Sequence, residues 1–258
     1  MSIRAVYTIW LRDVIRFFRE RTRIAAMLGQ PLLYLLVVGN GLAATLIMPG
    51  APEGFNYVHF MFPGIIGMSV LFTSIYSAIS IVWDREFGFL KEVLVAPVPR
   101  WSVAVGKAMG GTTASLVQCA VLLLLAPLIG IPLTFSTVLK LAGVLFLLAF
   151  ALTSLGIAIA SRIDTMEGFQ IVMNFLIMPL FFLSGAMFPL HGVPGWMEVL
   201  MRLNPLTYGV DALRNIIYTD MPGAGHMVQF TLAQDLLVVA VMAALFAGAG
   251  ALALSRRE

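Results

Sequence analysis

The residue types that do most protein chemistry are scarce in this 258-residue chain, and their spacing suits no catalysis. His59, His191 and His226 stand far apart, none beside a second ligand at metal-binding spacing, so no metal site is expected. Ser69, Ser74, Ser77 and Ser80 share one apolar stretch without a histidine and carboxylate to activate them. They read as packing and interhelical hydrogen-bonding residues. Gly106-Lys107-Ala108 is the nearest approach to a phosphate-binding loop, yet it lacks the leading glycine and the hydroxyl that would hold magnesium. The chain has no visible means of hydrolysing ATP, and no cofactor of its own is expected. Asp164, Glu167 and Asp235 fall near the ends of apolar runs, which argues against an ion-coupled relay through a membrane. Cys119 lies alone in an apolar run and reads as a small buried hydrophobe, with no disulfide or thiolate cluster to join.

What must position these few polar groups follows from composition. Hydrophobic residues make up 60% of the chain and charged ones 11%, with a mean hydropathy of +0.96. Soluble domains carry roughly 25% charged residues. A water-soluble enzyme, a disordered regulator and a disulfide-stapled secreted domain are thereby excluded, leaving a polytopic membrane protein. The net charge of +3 hints at nucleic acid, but the basic residues form no groove-sized patch, and no nucleic-acid partner is expected. A bilayer core needs about 20 apolar residues per helix. Six runs qualify, at about Ile24–Ile47, Val58–Trp83, Ala108–Ile131, Val138–Ala160, Phe169–Phe188 and Asp235–Leu254. The first contains Gln30, Pro31 and Asn40, which suits a helix facing protein or a cavity.

With six spans, thirteen of the sixteen Lys and Arg residues fall on one side, which predicts that both termini are cytoplasmic. The N-terminus is not read as a cleavable signal, since its arginines are dispersed and no Ala-x-Ala-like site follows a short apolar core. Residues 1–23 instead form an amphipathic helix ahead of a six-span domain over 24–258. At helical pitch Arg12, Arg16, Arg19 and Arg23 fall on one stripe, opposite Ile3, Val6, Trp10, Val14 and Phe17. Such a helix lies in the cytoplasmic headgroup layer, its guanidinium groups toward anionic lipid or a docking partner. A plain membrane anchor fits the same pattern.

Two connections carry more information. In the first, Phe87, Leu90 and Leu94 recur at helical spacing among Arg85, Glu86, Lys91 and Glu92, which predicts a short amphipathic helix over about 86–96, stopped before Pro97. It suits a groove in a cytoplasmic partner, and equally a solvated loop helix. In the second, Ser184-Gly185 and Pro189 break the fifth span near its outer end. Gly195–Leu203 and Thr207–Tyr218 then form two helices too short to cross, either side of Pro205, a re-entrant or interfacial cap over about 189–220. A local surface pair accounts equally for Arg214 and Asp211, and an aromatic-belt anchor for Tyr208.

Glu86, Gly88, Glu92 and Pro97 with Gly106-Lys107, then Leu183-Ser184-Gly185, Phe188-Pro189, Pro194-x-Trp196, Asn204-Pro205-Leu206-Thr207-Tyr208 and Asp211-Ala-Leu-Arg214, resemble the ABC-2-type exporter permeases, nearest the nodulation-factor and daunorubicin-resistance branch. Phe89 and Lys91 depart from the usual pattern of the first motif. The resemblance implies an all-α, type V exporter-like half-transporter of the bacterial inner membrane. Two permease copies, most simply a homodimer, or one copy and a similar permease would pair around a conduit and bind two separate ABC ATPase subunits that carry the ATP and magnesium. It implies that Glu86, Phe87, Gly88, Leu90, Glu92, Leu94 and Pro97 couple to the ATPase, and that Arg12, Arg16, Arg19 and Arg23 help dock it. Gln30, Asn40, Asn174, Ser184, Gly185 and Pro189 would line the conduit, with Phe181, Phe182 and Phe188 as an apolar outer gate that blocks water by dewetting. Lipid-facing bulk also accounts for these phenylalanines. Trp196, Asn204, Pro205, Tyr208, Asp211 and Arg214 would belong to the re-entrant segment. Cargo would be an amphipathic drug, a lipid or a lipid-linked saccharide; a proton-driven drug transporter is the alternative.

Overall fold

Long apolar runs with few β-branched clusters and good capping residues fold here as helices, and the described residues contain no strand. The structure, a computed structural model, describes residues 3–43, 56–87, 99–190, 192–219 and 227–255. In order these are α1 (Ile3–Arg19), α2 (Arg21–Leu33), a π-helical stretch (Tyr34–Gly39) leading into α3 (Asn40–Ala43), α4 (Tyr57–Ser77), α5 (Ile79–Glu86), α6 (Arg100–Leu124), α7 (Phe135–Ala160), α8 (Met166–Phe182), α9 (Gly195–Leu203), α10 (Pro205–Tyr218) and α11 (Leu232–Ser255). Side-chain oxygens close several N-termini: Thr134 accepts from the Thr137 amide, Thr165 from Gly168, and Asn56 forms a reciprocal box with His59.

Among the described residues, four helices are long and apolar enough to cross a membrane: Tyr57–Glu86 (α4 with α5), Arg100–Leu124, Phe135–Ala160 and Leu232–Ser255. Two more apolar stretches, Met27–Leu42 and Met166–Phe182, are shorter. The third run begins as a helix eight residues before the sequence reading and stops at Leu124, followed by a 3-10 turn at Ala126–Ile129 where Pro127 denies the helix an amide. The fifth stops at Phe182 rather than Phe188, because Gly185 takes φ +73° just beyond it. Both short helices expected between the fifth and sixth runs are present, α9 with the expected bounds and α10 beginning at Pro205.

α4 is the axis of the fold. Nearly all its side chains are buried, with α6, α7, α10 and α2 packed around it, while α11 lies mainly along α7. Polar contacts sort the ends of the bundle. At one end Arg85 donates to the carbonyls of Ile163 (2.6 Å) and Ser161 (3.0 Å), and Arg100 to that of Leu254 (3.1 Å). The end of α5, the start of α6, the connection after α7 and the end of α11 therefore meet there. The other end gathers Asn56–His59, the Gly130 turn, residues 185–190, and the end of α10.

α1 does not stand apart. Its Val6 and Ile9 meet α6 at Gly106, its Asp13 meets Gly110, and the Trp10 indole donates to Thr113 (2.9 Å). A Cβ at Gly106 or Gly110 would lie 2.9 Å from side-chain carbon of α1. The Gly106-x-x-x-Gly110 pair thus brings α1 to near backbone contact, and the apolar face of α1 is turned to protein.

Candidate functional site

A groove of about 410 Å³ runs between α2, α4, α5 and α6. Met27, Gln30 and Pro31 form one wall; Met68, Ser69, Phe72, Thr73 and Tyr76 form the other, with Ile79, Trp83 and Gln118 completing it. That volume lies within the ligand-pocket range of roughly 300–1,000 Å³. Every lining residue is uncharged, mixing neutral hydrogen-bonders with aromatic and thioether surface.

The backbone of α2 explains the polar floor. Pro31 has no N–H to offer the carbonyl of Met27, four residues back. The Gln118 amide of α6 fills that vacancy, donating to the Met27 oxygen at 2.8 Å. The Gln118 oxygen in turn accepts the Thr73 hydroxyl of α4. Three helices are tied through one proline defect. Nearby, the Tyr76 hydroxyl donates to Asn174 of α8 (2.8 Å), which brings Asn174 toward the same wall. Gln30 lines the groove, whereas Asn40 turns its amide back onto Leu36 within its own helix.

Phe181 is buried against Tyr34 (centroids 6.3 Å) and neighbours Phe182 (5.4 Å), which is half exposed. Phe188 is half-buried in the turns that follow, and Pro189 is exposed. Phe181 therefore seats the π-helical stretch, and the three rings form no single cluster.

The break after α8 is mended from α10. The Asn204 amide donates to the Leu180 carbonyl (2.6 Å) while its oxygen caps the Leu206 amide (3.0 Å). The Thr207 hydroxyl reaches the Met201 carbonyl (2.7 Å) and that of Leu183 (3.1 Å). Ser184 bonds back to Phe181 (2.6 Å). Gly64 of α4 lies so close to this turn that a Cβ would sit 2.7 Å from the Ala186 oxygen. Trp196 is exposed on α9, and Tyr208 bonds the Arg202 carbonyl (2.8 Å) and stacks on Phe230 (5.0 Å).

Asp211 and Arg214 are no surface pair; both are buried and each has its own partner. Asp211 accepts from the amides of Gln229 and Phe230 (3.0 and 2.8 Å), anchoring the approach to α11. Arg214 donates to the Gly185 carbonyl (2.7 Å) and lies over the Phe60 ring (4.2 Å). Burial pushes the Asp211 carboxyl up, opposed by those two amides and by Arg214. Burial pulls Arg214 down to about 10, opposed by Asp211, so it keeps its charge at neutral pH.

At the other end, charges converge. Asp84 accepts from Lys107 (2.7 Å) and Arg12 (3.1 Å), Asp13 lies 3.3 Å from Arg12 and 3.9 Å from Lys107, and Lys107 also donates to Ser80 (3.0 Å). Arg16 pairs with Glu20 (3.3 Å) and lies over Trp83 (4.6 Å). Arg12 and Arg16 are thus directed at the bundle, and Arg19 is exposed near them. Arg23 belongs to α2, its side chain outside the described residues. Glu86 closes α5 and Phe87 is exposed in the turn after it, packed on Trp83 (6.0 Å). Gly88, Leu90, Glu92, Leu94 and Pro97, with the helix expected there, lie outside the described residues. Sequence reasoning passed over Asp13, Asp84, Thr73 and Gln118, and named Lys107 in a motif without its ionic role. Their available signal was rarity, since each is a polar group in or beside an apolar run.

Comparison with known proteins converges on one family. A profile described as ABC-2 type transporter matches residues 4–218. A putative transport permease, ycf38, of Cyanophora paradoxa is 31% identical over 214 residues, covering 82% of this chain and 73% of that protein. The inner membrane transport permease YadH of Escherichia coli (strain K12) is 27% identical over 213 residues, 81% of each chain. Nodulation protein J of Rhizobium meliloti (strain 1021) is 27% identical over 215 residues, 81% of this chain and 79% of its own.

Proposed function

The chain belongs to the ABC-2 type transporter family, and from that premise we propose that it is the membrane half of an ATP-driven exporter of uncharged or weakly charged amphiphiles. The groove beside α2 carries this reading. Its neutral hydrogen-bonders and its aromatic and thioether surface suit a molecule with a polar, uncharged head and an apolar body. A transport permease needs both a path and a point where force enters; the groove offers the first and the charged end of the bundle the second.

In this reading the first span is α2 with its π-helical stretch and α3, the second is α4 with α5, and α6, α7, α8 and α11 complete six. The α9–α10 pair is a re-entrant cap closing the path outside, with Phe181 and Phe182 above the groove. Both termini face the cytoplasm of a bacterial cell, in keeping with a relative named as an inner membrane permease. Two copies of the chain enclose the conduit and engage two ATPase subunits, which supply the ATP and magnesium chemistry. Force enters at Glu86, Phe87 and the connection beyond them (Gly88, Leu90, Glu92, Leu94 and Pro97), with α1 alongside.

Proteoliposomes holding the chain and its cognate ATPase should accumulate a neutral fluorescent glycolipid only with ATP. Leu90→Asp or Leu94→Asp should abolish accumulation while the complex still assembles. Accumulation that ignores ATP and follows an imposed pH gradient would refute the reading. It would favour proton coupling instead, for which one observation speaks. Asp235 is buried in the first turn of α11, and among the described residues neither carboxylate oxygen has a hydrogen-bond partner.

A further inference from the structure

We propose that Lys107 is a positioning residue of energy coupling, the pin through which α1, α5 and α6 move as one body. The inference rests on the reading above, in which force enters at the connection between α5 and α6, but its geometry lies wholly in described residues on either side of that connection. Asp84 stands in the last turn of the helix that enters the connection; Lys107 stands two turns into the helix that leaves it.

Lys107 is buried, and its ammonium meets three oxygens supplied by two other helices. Asp84 lies at 2.7 Å and Ser80 at 3.0 Å from α5, and Asp13 at 3.9 Å from α1. Arg12 closes the ring by reaching the same Asp84 oxygen at 3.1 Å. Two carboxylates and two cations balance, so removing one cation leaves a buried carboxylate short of compensation. The surroundings leave no slack. Gly106 and Gly110, either side of Lys107 on α6, hold α1 so close that a Cβ at either would press on Ile9 or Asp13. Helices in such contact cannot slide independently unless the ion cluster opens.

The cluster needs a buried cation at this point: the ammonium donates to Asp84 and Ser80, and Asp13 lies beyond hydrogen-bond reach but within ion-pair distance. The arrangement fits a pin better than a surface pair, because each acceptor comes from a part of the chain that the transport step must move together. Of the three helices, α1 is the one that the chain itself does not join to the α5–α6 connection. Without the cluster, a push on that connection would reach α6 directly but α1 only through packing, the Trp10–Thr113 bond and the Arg16–Trp83 contact.

The test uses the full chain in lipid nanodiscs, and then its complex with the cognate ATPase. Lys107→Met should speed amide exchange in the α1 peptides about tenfold or more, while Lys107→Arg should stay near wild type. In the complex, the glycolipid moved per ATP hydrolysed should fall about tenfold in Lys107→Met and recover in Lys107→Arg. A purely structural lysine would lower the amount of assembled complex without changing that ratio. Should Lys107→Met fail to insert, Asp84→Asn makes a smaller change at the same joint and should shift both readouts in the same direction. Unchanged α1 exchange overturns the inference, as does faster exchange with an unchanged transport ratio. A wild-type complex that moves no glycolipid with ATP instead refutes the exporter reading, and α1 exchange still decides whether the pin exists.

Discussion

Gln118 offers a sharp test of how this bundle is held together, because its role depends on a proline in another helix. Gln118→Leu keeps the volume and deletes two contacts: the bond to the Met27 carbonyl at 2.8 Å and the acceptor for Thr73. An orphaned buried polar group costs about 1–3 kcal/mol. Interhelical hydrogen bonds within membrane proteins average only about 0.6 kcal/mol and reach about 1.7. Both groups border a groove that can admit water, so the lower end applies and a loss of about 1–2 kcal/mol is expected. The distinctive outcome lies in the double mutant. Pro31→Ala restores an N–H at position 31, which can donate to the Met27 carbonyl in the ordinary helical way. In that background Gln118→Leu should cost only the Thr73 share, about half as much. The assay is reversible unfolding in mixed micelles across the four proteins of the cycle, with coupling read directly. Additive losses would falsify the claim that Gln118 stands in for the missing amide.

Four further outcomes follow from the same structure. Gly110→Val should force α1 from α6, since its Cβ alone would reach 2.9 Å from Asp13; overpacking of this kind costs about 1–3 kcal/mol, and protease cutting near residue 20 would report the release. Asn204→Asp keeps the cap on Leu206 but turns the group facing the Leu180 carbonyl from donor to acceptor. It should therefore destabilise at least as much as Asn204→Ala, by about 1–3 kcal/mol, and wild-type melting of Asn204→Asp would contradict the assignment. Arg214→Met should lower thermal stability and loosen the turn after α8, because the Gly185 carbonyl loses its donor; unchanged exchange at residues 183–190 would count against that link. Cys119 is buried, so single cysteines at Ser136 and Ser255 can be labelled against a silent background. The proposed topology requires outside-only labelling of the first and inside-only labelling of the second.

The helical fold could be read from the sequence because hydropathy and helix breakers act locally. Six apolar runs, the stop near Ser184-Gly185 and two short helices around Pro205 need no knowledge of what touches what. Boundaries shifted where a local signal met a tertiary one: α6 begins early because its first turns are held by α1 and by the Arg100 bond to Leu254. The candidate site was less legible. The arginine stripe on α1 was visible, but not that Arg12 and Arg16 turn toward Asp84 and Trp83, because those partners lie more than sixty residues away. Asp211 and Arg214 looked like a pair at helical spacing, yet burial separates them to different partners. Sequence spacing finds neighbours along a helix and misses those across one.

Two of the long-range contacts nevertheless answer prolines inside helices. A proline inside a helix frees the carbonyl four residues before it, and where water is scarce that carbonyl needs another donor. Pro31 frees Met27, and Gln118 donates to it. Pro63 frees His59, and the Tyr218 hydroxyl donates there. Each donor comes from outside the turn it repairs and is the bond that fastens a different helix. If this is the principle, the cycle proposed for Pro31 and Gln118 should recur at the far end of the bundle. Tyr218→Phe should destabilise by about 1 kcal/mol, and by much less once Pro63→Ala has returned an amide to His59. A full Tyr218→Phe cost in the Pro63→Ala background would show that the tyrosine serves packing alone and that the pattern at Pro31 is a coincidence of one site.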